Sequence, residues 1–384
     1  MGIYTEYLDK KLDFDALQAE RKNQLKRISE ARGGRAILTY AAAMKKTNSP
    51  IGIEFGDRNH FFDQINNLNG DKIDIILETP GGFAEIVEDL VEYTRGIFSE
   101  VGIIVPGYAK SAGTIFAMAG DEILMDPTSA LGPIDAQISQ NGKTFSAHAF
   151  LQGLEKIKED VDSRGVLNRA YIPILQNISP GEIQSCQNAL DFSKLLVTEW
   201  LSNYKFKFWI THSSTGVPVT KEEKEERAAR IADCLCDHGY WLTHGRSLTI
   251  KDLNDMRLLI TDYSKDEALS DAIHRYYLLL TMTFDTTGIY KIFETIESQL
   301  YRFEIAPGGP VPQQPVDSVI IDLECPNCKT KSKIQANFKD GVPLQKDAIA
   351  FPKDNMFICP RCKHKIDLST FRGQIESQTK KKVI

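Results

Sequence analysis

Apolar positions early in the chain alternate between two periods. From about Leu12 to Arg32 they recur at helical spacing among Glu, Lys and Arg, which predicts an exposed amphipathic helix. Ala36–Tyr40 and Ile51–Phe55 are short apolar runs and predict strands. His60–Leu68 puts Phe61, Phe62, Ile65 and Leu68 on one helical face. Asn69-Gly70 is a turn signal, and Lys72–Leu77 (KIDIIL) predicts a strand. A helical pattern runs from Phe83 to Phe98, a strand from Val101 to Val105, a helix from about Ser111 to Ala119, and a strand from Glu122 to Met125. Strands alternating with helices imply a parallel sheet with right-handed crossovers. The fold class is therefore α/β.

The second half reads differently. Phe150–Tyr204 is mainly helical, with Glu182–Tyr204 the longest candidate. Lys221–His238 predicts a charged helix with Ala228, Ile231, Ala232 and Leu235 as its apolar positions, and Asp266–Met282 and Ile289–Phe303 continue the helical pattern. Ala306 to Pro315 then places four prolines and two glycines in ten residues, the composition of a linker.

Composition adds three points. With 384 residues the chain has room for more than one domain. A net charge of −6 argues against a chain devoted to nucleic acid, but the charge is uneven. From Asp317 onward 13 Lys/Arg face 8 Asp/Glu, a local +5 that leaves −11 for the remainder. No apolar run reaches the roughly 20 residues needed to span a bilayer, and Met1 to Glu20 lacks an apolar signal core, so a cytoplasmic location is expected. The seven cysteines agree: four form two CxxC pairs and three are scattered, which is no disulfide framework.

Candidate chemistry lies at two strand ends. Glu78-Thr-Pro-Gly-Gly82 follows one strand, and Tyr108-Ala-Lys-Ser-Ala-Gly-Thr114 follows the next. Ligands of parallel sheets bind at such carboxyl ends. Ser111 opens a helix, where free backbone N–H groups and the positive end of the helix dipole favour an ionised hydroxyl. The N–H groups of Ala112 and Gly82 can receive an oxyanion, as acyl transfer requires. Alone, Ser111 reads as a helix cap and Gly81-Gly82 as a turn; the two motifs at neighbouring strand ends favour a serine hydrolase. A phosphate loop is excluded, because five residues separate Gly107 from Gly113 and no lysine precedes Thr114.

These residues carry a family resemblance. Ile75-Ile-Leu-Glu-Thr-Pro-Gly-Gly82, Val105-Pro-Gly-Tyr-Ala-Lys-Ser-Ala-Gly-Thr114, Ala119-Gly-Asp-Glu-Ile-Leu-Met125 and Leu131-Gly-Pro-Ile-Asp-Ala-Gln137 resemble the Clp/crotonase-type fold. Within it they are most similar to the serine dehydrogenase proteinases of the signal peptide peptidase A superfamily, with weaker similarity to Tyr240-Trp-Leu-Thr-His-Gly-Arg246. The resemblance implies a ββα-superhelix domain, peptide-bond hydrolysis through an acyl-enzyme, no cofactor for the chemistry, and a homo-oligomer. Clp-type proteases carry a catalytic histidine about 25 residues after the serine; here that region is Leu131-Gly-Pro-Ile-Asp-Ala. Relatives in the signal peptide peptidase branch use a lysine base near the start of a later helix. That implies Lys156, with Lys158 second, and leaves His148 as a third choice. Lys110, beside the nucleophile, is expected to point away from it. His244 is expected to serve domain packing, and Asp135 to shape the site or a subunit contact.

Cys325-Pro-Asn-Cys328 and Cys359-Pro-Arg-Cys362 form two knuckles whose thiolates can surround zinc, with His364 not required. Val319–Leu323, Lys331–Phe338 and Asn355–Ile358 predict the strands of a ribbon around them. The organisation expected is an N-terminal helix (1–34), a Clp/crotonase-like peptidase domain (35–215), a helical extension (216–305), a linker (306–316) and a zinc-ribbon module (317–384). The partners expected are a polypeptide substrate, other copies of the chain, and a protein or nucleic-acid partner for the basic ribbon. Two rivals stand beside the peptidase: a non-catalytic binding or regulatory protein of the same fold, and an acyl-CoA enzyme that would not need Ser111.

Overall fold

The apolar runs of the first half become neighbouring strands because their side chains are buried on both faces of one sheet. In Lys72–Glu78 every residue after Lys72 is buried. Such continuous burial belongs to a parallel strand covered on both sides. The computed structural model describes residues 2–140, 143–304, 318–379 and 381–384, and the chain divides into two compact units, Met1–Glu304 and Ile305–Ile384. The expected linker, 306–316, lies outside the described residues.

In the first unit the main elements are α1 (Phe14–Ala31), β1 (Ala36–Ala42), α2 (Asp57–Asn66), β2 (Lys72–Glu78), α3 (Ala84–Ile97), β3 (Glu100–Ile104), α4 (Ala112–Met118), β4 (Glu122–Met125), α5 (Ala147–Arg164), α6 (Pro180–Trp200), α7 (Lys221–Leu235), β5 (Thr261–Asp262), α8 (Glu267–Thr286), β6 (Ile289–Glu294) and β7 (Gln299–Phe303). The seven-stranded sheet runs β7-β6-β1-β2-β3-β4-β5. β1 to β5 are mutually parallel, and the β6–β7 hairpin joins antiparallel to β1. Alternate strand residues feed two cores. Ile73, Ile75, Leu77 and Ile103 pack in one large cluster with residues of α2, α3, α4, α6 and α7. Ile37, Ala41, Ile76 and Ile104 face the other way, against α1 and α8.

Two sequence expectations are corrected. Ile289–Phe303, expected to be helical, is the β6–β7 hairpin, closed by the Thr295 N–H donating to the Ser298 carbonyl at 2.8 Å. Its charges fall at helix-like intervals, but two of them are buried on β6 and matched by residues distant in sequence. Lys291 donates to both carboxylate oxygens of Asp57, at 2.7 and 3.0 Å. Glu294 takes a two-pronged pair from Arg21 of α1, at 2.9 and 3.0 Å. Ile51–Phe55, expected to be a strand, makes only an isolated bridge from Ile53 to Gly82, because it crosses the Gly81-Gly82 turn instead of joining the sheet.

The second unit holds a three-stranded sheet, Ser318–Glu324 and Lys331–Asn337 antiparallel with Ala348–Ala350 added parallel, then a hairpin of Met356–Ile358 with Lys365–Asp367 and the helix Ser369–Thr379. Its core is small, built around Ile334, Ala336, Phe357 and Leu368.

The Arg21–Glu294 pair fastens α1 to the hairpin, and neither side chain is exposed. Arg21 also donates to Thr283 at 2.6 Å and to Tyr301 at 2.7 Å. Removing one partner of a fully buried pair strands the other charge. Arg21→Met is expected to cost about 3–5 kcal/mol in equilibrium denaturation, and adding Glu294→Leu should restore part of it.

Candidate active site

The two sequence motifs meet because β2 and β3 are adjacent and parallel, so the loops leaving their carboxyl ends occupy the same edge. Thr79 and Ala109 extend the pairing by one bridge: the Thr79 N–H donates to Tyr108 at 2.9 Å, and the Lys110 N–H donates to Thr79 at 3.0 Å. Gly81 (φ +110°) then lies so close to the serine turn that a Cβ on it would sit 2.7 Å from Ser111 Cβ. Gly82 (φ +150°) is pinned by Ile53, whose N–H donates to the Gly81 carbonyl at 2.7 Å and whose carbonyl accepts from Phe83 at 3.0 Å.

Ser111 has φ 51° and ψ −118°, a conformation costly for a residue with a side chain, and it makes no side-chain capping bond to α4. It is therefore not an ordinary helix cap. The turn is sharp enough to lift the hydroxyl off the helix end, the strand-to-helix geometry used for exposed serine nucleophiles. Among the described residues no acceptor takes the N–H of Gly82 or of Ala112, and Ser111 Oγ has no hydrogen-bond partner. Two free donors and a free hydroxyl thus lie on two turns in close approach.

Lys110 is not idle. Its ammonium donates to the Leu131 carbonyl at 3.1 Å, the Arg246 carbonyl at 2.9 Å and the Ser247 hydroxyl at 3.0 Å. Burial without a carboxylate partner lowers its pKa. Those three bonds tie the serine turn to the Gly-Pro-Ile-Asp turn and to the segment around His244. Thr114 adds a second tie, donating to Gly132 at 2.8 Å.

Asp135 is buried at the end of that turn. It accepts from Ser146 at 2.6 Å and Gln137 at 2.7 Å, and its Oδ2 lies 3.2 Å from His238 Nδ1 and 3.8 Å from His244 Nδ1. Burial lowers the pKa of His244 below its ordinary value; the Asp135 carboxylate opposes this, and the nearby His238 and Lys110 add to it. His148 stands beside His238, ring centres 6.0 Å apart, and its Nδ1 is buried without a partner. The grouping of Asp135 with His238 and His244 did not emerge from the sequence, where about a hundred residues separate them. The available signal was that four of only seven histidines fall between 148 and 244.

The lysines implied by the resemblance lie elsewhere on α5. Lys156 is exposed and no described hydrogen bond or ion pair orients it. Lys158 is 65% exposed and paired with Glu155 at 2.8 Å.

In the second unit Cys325, Cys328, Cys359 and Cys362 bring their four sulfurs within 4.8 Å of one another. The two knuckles repeat one geometry: Cys325 accepts from Lys329 and Cys359 from Lys363, and both lysines are left-handed, at φ 59° and 60°. The Thr330 hydroxyl, then backbone N–H groups, hold the Cys328 thiol down to about 6. The Cys325–Cys362 and Cys328–Cys359 separations are 3.6 Å, near the roughly 3.8 Å that a tetrahedral zinc with 2.3 Å bonds sets between sulfurs. The cluster therefore fits a metal ion. His364 contributes only its carbonyl, accepting from the Cys359 N–H.

Glu78 links fold and site. Its carboxyl accepts from the Tyr108 N–H at 2.7 Å and from Tyr277 at 3.2 Å, and burial pushes its pKa up to about 8. The folded chain therefore holds a proton there that the unfolded chain releases near 4.5. Stability on this account is full below about pH 4.5, falls as pH rises, and levels off above about 8. Glu78→Gln is expected to flatten that fall and to raise stability at pH 8 by a few kcal/mol, read from urea midpoints across pH.

Comparison with known proteins gives the same region. An uncharacterized protein of Methanocaldococcus jannaschii is 35% identical over 88 residues, 23% of this chain and 30% of that protein. A second from the same organism is 29% identical over 169 residues, 40% of this chain and 51% of that protein. The chain thus spans about a third and about half of the length of these two relatives. Two solved structures of the 1510-N membrane-bound stomatin-specific protease align with TM-scores of 0.34. One is a serine-to-alanine mutant, 18% identical over 58% of this chain and 79% of that one. The other is a lysine-to-alanine mutant with a substrate peptide, 17% identical over 57% and 74%. No helix among the described residues is long and apolar enough to cross a membrane. Residues 3–190, which carry β1 to β4, the glycine turn and Ser111, belong to the ClpP-like SDH-type serine proteinase family.

Proposed function

We propose that the chain is a serine endopeptidase in which Ser111 is the nucleophile. The observation that carries this is the strained Ser111 turn bordered by two N–H groups without acceptors. Ser111 Oγ attacks a peptide carbonyl and gives its proton to a base. The N–H groups of Gly82 and Ala112 hold the oxyanion. The base returns the proton to the leaving amine, an acyl-serine remains, and water then hydrolyses it by the same route. Family membership of residues 3–190 supports the reaction class.

The base has two candidates. The first is His244. It sits in the segment that Lys110 ties to the serine turn, burial lowers its pKa, and buried Asp135 lies 3.8 Å from its Nδ1. Asp135 orients the imidazole once the 3.8 Å gap between them closes on substrate binding. Lys156 is the second reading, the one the resemblance implies. An exposed lysine needs a covering surface to become a base, and a second copy of the chain can supply it. Val166, Leu167, Ile172, Ile174 and Ile183, all exposed, follow the same helix and suit a homo-oligomer contact.

A fluorophosphonate probe is expected to label native protein at Ser111 and not the Ser111→Ala variant. His244→Ala and Asp135→Asn should each lower peptide turnover by roughly 10³–10⁴-fold, and Lys156→Met should leave it nearly unchanged. Turnover should rise with pH as the imidazole loses its proton, with a midpoint below His244's ordinary value of 6.5. Labelling lost in Lys156→Met but kept in His244→Ala assigns the lysine instead. Native protein that is never labelled, with Ser111→Ala as active as wild type, overturns the peptidase.

The four-cysteine cluster holds one structural zinc, which supplies stability and no catalysis. The small core of the second unit makes the ion a main source of its folding energy. Metal analysis should find about one zinc per chain. Chelation should expose the four thiols to a thiol reagent and remove the ordered signals of residues 318–384, while Ser111 labelling persists.

A further inference from the structure

At the sheet edge opposite Ser111, where β3, β4 and β5 begin, a cavity of about 800 Å³ opens between the sheet, α7 and the segment after α6. That volume lies in the range of small-molecule sites. Its acidic groups are already matched. Glu100 pairs with Lys72 at 2.9 Å and Arg35 at 3.3 Å, Asp121 with Arg95 and Lys207 at 2.7 Å each, and Glu122 with Arg32 at 2.5 Å. His212 is 3.1 Å from Glu223.

Three cations on the lining are not matched. The side chains of Lys205, Arg227 and Arg257 make no hydrogen bond or ion pair among the described residues. Burial, and then the nearby Arg257 and Arg230, disfavour the charge on Arg227, and Glu226 opposes this less strongly. Lys205 ends a π-helical turn, Leu201–Lys205, an irregularity often found at functional sites. Burial pushes its pKa down to about 8, and the surrounding carboxylates only partly oppose this. Beside these cations stand Phe206, Phe208 and Trp209, with the Arg227 guanidinium 5.0 Å from the centre of the Trp209 ring. Phe208 is 65% exposed.

We propose that this cavity binds a phosphate-bearing aromatic small molecule of nucleotide size, its phosphate held by Lys205, Arg227 and Arg257 and its ring laid against Trp209 and its neighbouring phenylalanines. Unmatched guanidiniums suit a phosphate, whose oxygens they can bind in pairs. An indole face suits a flat ring, and the volume accommodates both parts. The site is separate from the serine turn, and nothing in it depends on peptide hydrolysis.

The test uses the full chain and pyridoxal 5′-phosphate, which carries a ring, a phosphate and an aldehyde. The lysine amine condenses with the aldehyde to an imine and water, and borohydride reduces the imine to a stable secondary amine. Mass spectrometry is expected to find Lys205 modified at least ten times faster than the average surface lysine. AMP or ATP at millimolar concentration should protect it, and inorganic phosphate at the same concentration should protect several-fold less. Arg257→Met, on an exposed side chain, and Arg227→Met should each weaken nucleotide protection about tenfold, with unchanged circular dichroism. Labelling spread evenly over surface lysines overturns the proposal. So does protection by phosphate equal to that by AMP, or protection insensitive to both arginine variants. Ser111 labelling by fluorophosphonate is scored in parallel, so failure here is distinguishable from failure of the peptidase reading.

Discussion

The close approach of two loops at one sheet edge governs the first unit. β2 and β3 are adjacent and in register, so the turns that leave them compete for the same volume. The competition is resolved by removing side chains from one turn and straining the other. Gly81 and Gly82 adopt conformations and contacts that exclude a Cβ, and Ser111 takes a positive φ. Elements around them act as a clamp. Ile53 holds the glycine turn from one side, and Thr79 and Thr114 hold the serine turn from the other. The strain at Ser111 is sustained because each flanking residue is fixed by a bond to a different element.

What the sequence reveals follows from how local the determinants are. β1 to β4, α3 and both site loops are legible, because apolar runs, glycines and helix starts are encoded within a few residues of where they act. The Ser111 environment is legible for the same reason. The β6–β7 hairpin is not, since the charges of Lys291 and Glu294 become acceptable in a buried strand only through Asp57 and Arg21. Lys110 is a second case. Read locally it is a surface lysine beside a nucleophile, and its partners, the carbonyls of Leu131 and Arg246 and the Ser247 hydroxyl, are distant in sequence. The meeting of Asp135 with His238 and His244 depends on the path taken by everything between them, which no short-range pattern records.

The two edges of the sheet are joined by one helix. α7 carries Arg227 towards the cavity, and the residues just beyond its other end run through Asp237 into His238 beside Asp135. Leu235, its last residue, also accepts from the Ile134 N–H next to Asp135.

The Arg21–Glu294 pair also sets a schedule. Its partners are 273 residues apart, so α1 emerges from the ribosome long before the strand that neutralises it. At ~5–20 residues per second the interval is roughly 14–55 s. The segment around His244 is likewise made after the Ser111 loop is complete. A nascent chain therefore carries the nucleophile well before it carries the hairpin that closes the sheet or the histidines that gather at Asp135. Order of synthesis alone delays assembly of the complete site, and for that interval the amphipathic face of α1 lacks the hairpin it packs against.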